Sequence, residues 1–180
     1  IISDYCIGAN GSVDTVCLYS DVPINEIKSI NLDYQSRTSE SLLKVLLKEY
    51  WELDIKLNYS EIGSKAEISG NNAALVIGDR AFDLNNKYSY VYDLAAIWKE
   101  MTGFPFVFAV WLAKKSVPHD FIADFNRSLK DGLSNIHEAL KQEEYSYRHC
   151  KNPTDYLNNR ISYDLDSQKL LGMHLFLKKL

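Results

Sequence analysis

Apolar positions over residues 1–112 follow two spacings in alternation. Short runs of β-branched and aromatic residues predict strands, and apolar residues recurring every three or four positions predict amphipathic helices. The predicted strands span residues 13–19, 27–32, the vicinity of 55–57, 73–77 and 106–112, and the predicted helices span 39–51 and 93–101. We expect the apolar run 73–77 to be buried on both faces and 106–112 to be central to the core. This alternation predicts an α/β domain.

Residues after Pro118 follow the helical spacing almost throughout. One apolar stripe covers about 118–142, a second helix is predicted from Asn152-Pro153 to about 162, and a third from Asp166 or Ser167 to the C-terminus. The α/β part already has helices to cover its own sheet. The apolar face of this tail therefore needs another surface, and we expect that surface to belong to a second lobe.

The composition of the 180 residues is that of a folded globular domain, with 46% hydrophobic and 24% charged residues. A formal net charge of −4 and a pI near 5.6 indicate no basic surface for nucleic acid or an anionic membrane. The longest apolar run, 104–113, is about ten residues, against the ~20 that span a bilayer.

Three widely spaced cysteines without a CxxC pair indicate neither a disulfide framework nor a zinc module. The chain opens with Ile1, and its first residues (IISDYCIGANG) have neither a basic n-region nor a long apolar h-region. We therefore expect no signal peptide there. Together these features predict reduced thiols and a cytoplasmic location.

Four polar residues, Ser36-Arg37-Thr38-Ser39, stand between a predicted strand and the most regular predicted helix. Hydroxyl groups, a cation and free backbone N–H groups at a helix N-terminus form a site for an anion such as a carboxylate. The alternative is an ordinary N-cap, because Ser and Thr are common there with or without a ligand. The sequence leaves both interpretations open.

Two further turns carry candidate ligand contacts. Gly78 and Asp79 follow the strand 73–77, and the carboxyl ends of such strands line the crevice in which α/β proteins bind ligands. Asp79 fits equally well as the cap of the next turn. In the segment 102–106 (TGFPF), Phe104 and Phe106 either wall a pocket for a flat ligand or belong to the core.

The four histidines lie in the tail, outside these turns, and have no metal-binding spacing. The sequence contains no GxSxG, GxxxxGKS/T, GxGxxG or HExxH motif. The sequence therefore contains no motif that indicates a serine hydrolase, a nucleotide-binding protein or a zinc protease.

Four segments in a fixed order resemble the MqnA/MqnD menaquinone-biosynthesis family of the futalosine pathway. They are 11–20 (GSVDTVCLYS), 33–39 (DYQSRTS) with the Leu-rich helix after it, 74–81 (ALVIGDRA) and 93–111 (DLAAIWKEMTGFPFVFAVW). Within that family, the dihydroxynaphthoate synthases carry Ile-His-Glu where this chain has Ile77-Gly78-Asp79. The resemblance is therefore to the chorismate dehydratase branch.

The resemblance implies a two-lobed fold similar to the type II periplasmic binding proteins, which holds chorismate between its lobes and dehydrates it to 3-[(1-carboxyvinyl)oxy]benzoate. It implies no metal and no organic cofactor. Residues 1–20 would end the first lobe and form the outgoing hinge strand, 21–106 would form the second α/β lobe, and 107–180 the return hinge strand and a helical tail on the first lobe. Family members open with roughly 80 further residues, about half a typical domain, which we expect to precede Ile1.

The resemblance also implies roles for individual residues. The implied substrate-binding residues are Thr15, Ser36, Arg37, Thr38, Ser39, Gly78, Phe104 and Phe106. Residues 36–39 would grip one carboxylate, and Thr15, where the family usually has Ser, would bond the substrate from the hinge. The general base is either Asp79 or the substrate's own carboxylate. The alternative function is a carboxylate-binding protein of the same fold that performs no chemistry.

Overall fold

The computed structural model describes residues 1–32, 36–59, 67–84, 86–142 and 149–180. The strands in these ranges are β1 (Tyr5–Ala9), β2 (Val16–Ser20), β3 (Ser29–Leu32), β4 (Lys56–Tyr59), β5 (Asn72–Ile77), β6 (Tyr90–Asp93), β7 (Phe106–Val110) and β8 (Ser162–Asp164). The α-helices are α1 (Arg37–Glu49), α2 (Asp79–Phe82), α3 (Leu94–Thr102), α4 (His119–Ser134), α5 (Ile136–Gln142), α6 (Pro153–Asp155) and α7 (Ser167–Lys179). A 3-10 turn covers Ile24–Glu26 and a π-helical turn covers Tyr156–Arg160. The predicted α/β class is confirmed.

The larger sheet has the strand order β4-β3-β5-β2-β6. Strand β3 runs parallel to both β4 and β5, whereas β2 runs antiparallel to both β5 and β6. Four strands therefore point one way and β2 the other. Consequently the carboxyl ends of β3, β5 and β6 and the amino end of β2 meet at one edge of the sheet.

The centre of the core is formed by elements whose apolar residues match their geometry. Leu42, Leu43 and Leu46 of α1 are fully buried, as their three- and four-residue spacing predicts. Residues 73–76 of β5 are also buried, which confirms a strand covered on both faces. Trp98 of α3 and Phe106 of β7 meet edge to face, with ring centroids 5.5 Å apart.

The smaller sheet has the order β7-β1-β8 and is antiparallel throughout. Because β7 is an edge strand, the prediction that 106–112 is central to the core is wrong for most of that segment. Phe106 and Val107 are buried, but Trp111 and Leu112 are 47% and 72% exposed. The strands β1, β6 and β8 were not predicted from the sequence. The two-lobed arrangement and its boundaries at 20 and 106 stay predictions.

The helical tail is less regular than its apolar spacing predicts. The helix predicted over 118–142 is interrupted at Asn135, which has φ −116° and ψ 22°. The helix predicted to reach 162 ends as the π-helical turn at Arg160, and the chain then extends into β8. None of the described residues of α4 and α5 is buried. Among the helices in the described ranges, none combines the length and the hydropathy of a membrane span.

Candidate active site

One edge of the five-stranded sheet collects the polar groups that follow its strands. Ser36 begins α1 after β3, Gly78 follows β5, and Asp93 ends β6 and begins α3. Thr15 lies at the same edge because it precedes β2, whose first residue pairs with Ile77. In α/β folds, the carboxyl ends of parallel strands line the ligand-binding crevice. This edge is therefore the candidate active site.

Thr15 and Gly78 are joined through their backbones at this edge. The Gly78 N–H donates a hydrogen bond of 2.9 Å to the Thr15 carbonyl oxygen. Gly78 has φ 66° and ψ −152°, a conformation that is almost exclusive to glycine. The predicted turn after β5 therefore needs glycine for its backbone conformation. This contact places Asp79, the next residue, beside the turn that contains Thr15.

The Asp93 carboxylate fixes the turn that leads into Thr15. Its Oδ2 atom accepts hydrogen bonds from the Val13 and Asp14 amides at 2.8 and 2.7 Å and from the Ser12 hydroxyl at 2.9 Å. Its Oδ1 atom caps α3 by accepting from the Ala95 and Ala96 amides, both at 3.0 Å. The same turn holds Asp14 at φ 64°, a left-handed conformation that costs energy for a residue with a Cβ. Asp93 thus connects the helix start to the candidate site.

Tyr156 brings the tail to the sheet edge. Its hydroxyl lies 2.8 Å from the Thr15 Oγ1 atom, and its ring meets Phe82 edge to face with centroids 5.1 Å apart. Tyr156 begins the π-helical turn, and such turns occur frequently at functional sites. Thr15 itself is 4% exposed, so the Tyr156 hydroxyl contacts a buried residue.

A cavity of about 150 Å³ lies between α2 and the segment that begins at His149. It is lined by Asp79, Phe82, His149, Cys150, Pro153, Tyr156 and Leu157. The His149 Nδ1 atom lies 2.7 Å from Asp83 Oδ1, which ties this segment to the end of α2. The cavity therefore has one predicted site residue, Asp79, and one tyrosine, Tyr156, in its wall.

The charged groups around the cavity are mainly acidic. Arg160 forms an ion pair with Asp14, with Nε 2.9 Å from Oδ2, and lies 3.8 Å from an Asp155 oxygen. Burial raises the pKa of Tyr156, and the nearby Asp79 and Asp14 carboxylates raise it further. Burial likewise raises the pKa of Cys150. Both groups therefore stay protonated and neutral near pH 7.

The 36–39 segment forms a helix N-terminus at the same edge. The Ser36 hydroxyl accepts a hydrogen bond of 3.2 Å from the Ser39 amide, so Ser36 is the N-cap, as predicted. It also donates to the Ser39 hydroxyl at 2.9 Å, and Ser39 is 2% exposed. The Arg37 side chain is exposed. Residues 33–35 of the predicted motif lie outside the described residues, and the carboxylate grip stays a prediction.

A protein-family model described as menaquinone biosynthesis matches residues 1–180. The chain belongs to the menaquinone-biosynthesis family. It is also 26% identical over 201 aligned residues to a chorismate dehydratase of Thermus thermophilus. The alignment covers 100% of this chain and 73% of that relative. The resemblance seen in the sequence is thereby confirmed at the level of the family.

Membership of the menaquinone-biosynthesis family does not place every predicted residue in the site. Phe106 is 1% exposed, and its ring packs against Phe108 and Phe176 with centroids 4.8 and 4.9 Å apart. The expectation that Phe106 shapes a ring slot is therefore wrong, because its ring is enclosed by the core. Phe104 is half-buried beside α7, where a Cβ added to Gly172 would lie 3.1 Å from the Phe104 Cβ atom. The role of Phe104 stays a prediction.

The structure also brings to this candidate site residues that the sequence did not single out as site residues. They are Asp14, Asp93, Tyr156 and Arg160. Asp93 had a local signal, since an Asp directly before a helical pattern is a typical N-cap. Asp14, Tyr156 and Arg160 had no local signal in the sequence, because their contacts join distant parts of the chain. Within the described residues, no group of three or more His, Cys, Asp or Glu side chains is placed to hold a metal ion.

Proposed function

We propose that this chain is a chorismate dehydratase, a lyase that converts chorismate to 3-[(1-carboxyvinyl)oxy]benzoate and water in the futalosine pathway of menaquinone biosynthesis. The observation that carries the proposal is the shared sheet edge, where Thr15 contacts the Tyr156 hydroxyl, α1 begins, and Asp79 and Tyr156 line a cavity. The named relative supports the choice of reaction. The chain has Gly78-Asp79 where the synthase branch of the family has His-Glu, and this difference supports the dehydratase over the synthase.

Chorismate is a cyclohexadiene with two carboxylates, so its site must offset two negative charges. Ser36, Arg37, Thr38 and Ser39 are suited to one of them, because α1 is 13 residues long and its N-terminal amides carry partial positive charge. Gly78 and Asp79 form the wall across from that helix start, and Phe104 borders the ring. We further propose that these groups belong to one lobe of a two-lobed fold similar to the type II periplasmic binding proteins.

The dehydration removes a ring proton and the hydroxyl group at C4, and the ring becomes aromatic. The proton acceptor is either Asp79 or a carboxylate of chorismate itself. Asp79 is exposed and lines the cavity, so it can reach a bound ligand. Replacing Asp79 by Asn separates the two possibilities, because turnover close to the unchanged chain would assign the base to the substrate. Asp131→Asn, on the exposed side of α4, is the matched control.

The test of the reaction is mass spectrometry on chorismate incubated with the protein. It is run on the 180-residue chain and on the same reading frame extended upstream, because the Thermus relative is longer. Loss of one water from chorismate supports the dehydratase. Tight binding of unchanged chorismate by a well-folded extended chain would instead support a carboxylate-binding protein without chemistry.

A further inference from the structure

We propose that Tyr156 is a catalytic residue whose hydroxyl donates a hydrogen bond to the oxygen leaving the ring, and that Thr15 is a positioning residue that acts through Tyr156. This assignment rests on the proposed dehydration. Nothing in the sequence pattern connects the two residues, which are separated by 141 positions. Their pairing is a product of the tail folding against the sheet edge.

Accessibility assigns the two roles. Thr15 is 4% exposed, whereas Tyr156 lines the cavity together with Asp79. A ligand in the cavity therefore meets the Tyr156 side chain before it meets Thr15. The Phe82 ring fixes the plane of the Tyr156 ring from one side, and the Thr15 hydroxyl fixes its oxygen from the other. A hydroxyl held by two such contacts is already oriented before a ligand arrives.

The hydrogen bonds available to Thr15 explain how the phenol becomes free to donate. The Thr15 hydroxyl also lies 3.4 Å from the Val13 carbonyl oxygen, a long and weak contact. When Thr15 donates to Val13, its oxygen accepts the phenolic proton. When the Thr15 hydroxyl rotates to donate to the Tyr156 oxygen, the phenolic proton points to the ligand instead. Rotation gives up only the weak contact.

Charge indicates which part of chorismate meets Tyr156. The carboxylates of Asp79 and Asp14 lie near the phenol, and Arg160 is engaged with Asp14. This acidic surrounding repels the carboxylates of the ligand, which are better placed at the 36–39 helix start with Arg37. The neutral hydroxyl of the ring is then the group left for Tyr156.

The proposed step balances without an added reactant. A base removes the ring proton, its C–H electrons form the new ring double bond, and the C4–O bond breaks with its electron pair on oxygen. The Tyr156 hydroxyl stabilises the charge that develops on that oxygen. Hydroxide and the removed proton leave together as water, so the enzyme returns to its starting protonation state.

Tyr156→Phe tests the inference because it removes only the hydroxyl and keeps the ring against Phe82. We expect kcat to fall by about 10²-fold or more with KM nearly unchanged, as for removal of one oxyanion donor. Tyr163→Phe is the matched control, since Tyr163 is another partly buried tyrosine, on β8, and should stay close to the unchanged chain. Circular dichroism and chorismate binding by calorimetry confirm that Tyr156→Phe is folded.

Thr15 is tested by a pair of variants and by a double mutant. Thr15→Val should lower kcat by about 10- to 100-fold through misplacement of the phenol, and Thr15→Ser should restore it. In the Tyr156→Phe background, Thr15→Val should cause no further loss, because Thr15 has nothing left to position. Losses that multiply would show that Thr15 acts on the substrate directly and would overturn the positioning role.

The unchanged protein separates failure of this inference from failure of the proposed function. If it dehydrates chorismate and Tyr156→Phe does so equally fast, the role of Tyr156 is wrong and the function stands. If the unchanged chain and its extended form are folded and leave chorismate intact, the proposed function fails and this role fails with it.

Discussion

The Asp14 amide donates a hydrogen bond of 2.7 Å to the Oδ2 atom of Asp93, across 79 residues of sequence. This contact fixes the turn in which Asp14 adopts its left-handed conformation. Arg160 then pairs with the Asp14 carboxylate from the tail. A helix cap, a turn of unfavourable backbone conformation and the tail thus share one set of contacts beside the candidate site.

Asp93→Ala should destabilise the protein by about 2–4 kcal/mol. The change removes the α3 N-cap, which contributes about 0.5–2 kcal/mol, and leaves partly buried donors of the 12–14 turn unsatisfied, at about 1–3 kcal/mol. Asp93→Asn should recover only part of the loss. The amide oxygen of Asn can accept hydrogen bonds from one set of donors, but its NH₂ group faces the other set and cannot accept from it. Chemical denaturation measures both.

The exposed Asp131→Asn is the control for this prediction and should change the unfolding free energy by less than about 0.5 kcal/mol. If Asp93→Ala lowered the unfolding free energy by less than about 1 kcal/mol, water would have to replace the carboxylate as the acceptor for the donors of the 12–14 turn.

Gly78→Ala should destabilise the protein by about 1–3 kcal/mol, although an added Cβ meets nothing within 4 Å. The cost arises from the backbone, because φ 66° with ψ −152° is accessible essentially to glycine alone. Gly132→Ala is a matched control in the exposed last turn of α4, where the Cβ also has open space. It should stabilise by about 0.4–1 kcal/mol, chiefly by restricting the unfolded chain. Equal effects at the two glycines would contradict the backbone argument.

Local patterns predicted the parts of the fold that depend on local sequence. The spacing of Leu42, Leu43 and Leu46 predicted α1, and Ser36 was among its candidate caps. Strand β1 was missed because its sequence, YCIGA, contains Gly8, which weakens strand patterns. In the structure a Cβ at Gly8 would lie 2.8 Å from the Phe106 carbonyl oxygen, so neighbouring backbone requires glycine there.

The candidate site was predictable only where its residues follow a strand or begin a helix. Gly78 and Asp79 were identified because they follow β5 directly. Tyr156 was not identified, since its partner Thr15 lies in another part of the chain and a tyrosine in a helical pattern resembles any other. Phe106 was misplaced for a similar reason, because an aromatic residue after a tight turn fits a pocket wall and a core equally well.

Stability should decrease at acidic pH partly through Asp166, the N-cap of α7. Its hydrogen bond from the Lys169 amide, together with the Lys169 ammonium, lowers its pKa below the ordinary 3.8. A carboxyl group whose folded pKa is depressed stabilises the protein above its unfolded pKa. That contribution is therefore present above about pH 3.8 and is lost as the pH falls through the lower folded value.

Asp166→Asn tests this pH dependence because Asn keeps an N-cap oxygen and cannot titrate. Denaturation curves of both proteins, measured from neutral to acidic pH, should converge as the pH falls below about 3.8. Curves that stay parallel through that range would show that Asp166 contributes nothing to the acid sensitivity.

Phe106→Ala should destabilise the protein by about 3–5 kcal/mol, because it opens a cavity among Trp98, Phe108 and Phe176. Such a loss is comparable to the total stability of many domains, so Phe106→Leu is the variant for kinetics. Thermal unfolding measures the stability of Phe106→Ala, and steady-state kinetics measure the KM of Phe106→Leu for chorismate.

The position of Phe106 predicts that Phe106→Leu leaves KM unchanged even though it lowers stability. A ring that is 1% exposed cannot contact a ligand unless the core opens. A substitution at Phe106 should therefore change the unfolding free energy without changing KM. Phe104→Leu is the matched comparison on the half-buried side of the same turn, and it should raise KM with less effect on the unfolding free energy. A raised KM for Phe106→Leu in folded protein would return Phe106 to the ring slot that the sequence first indicated.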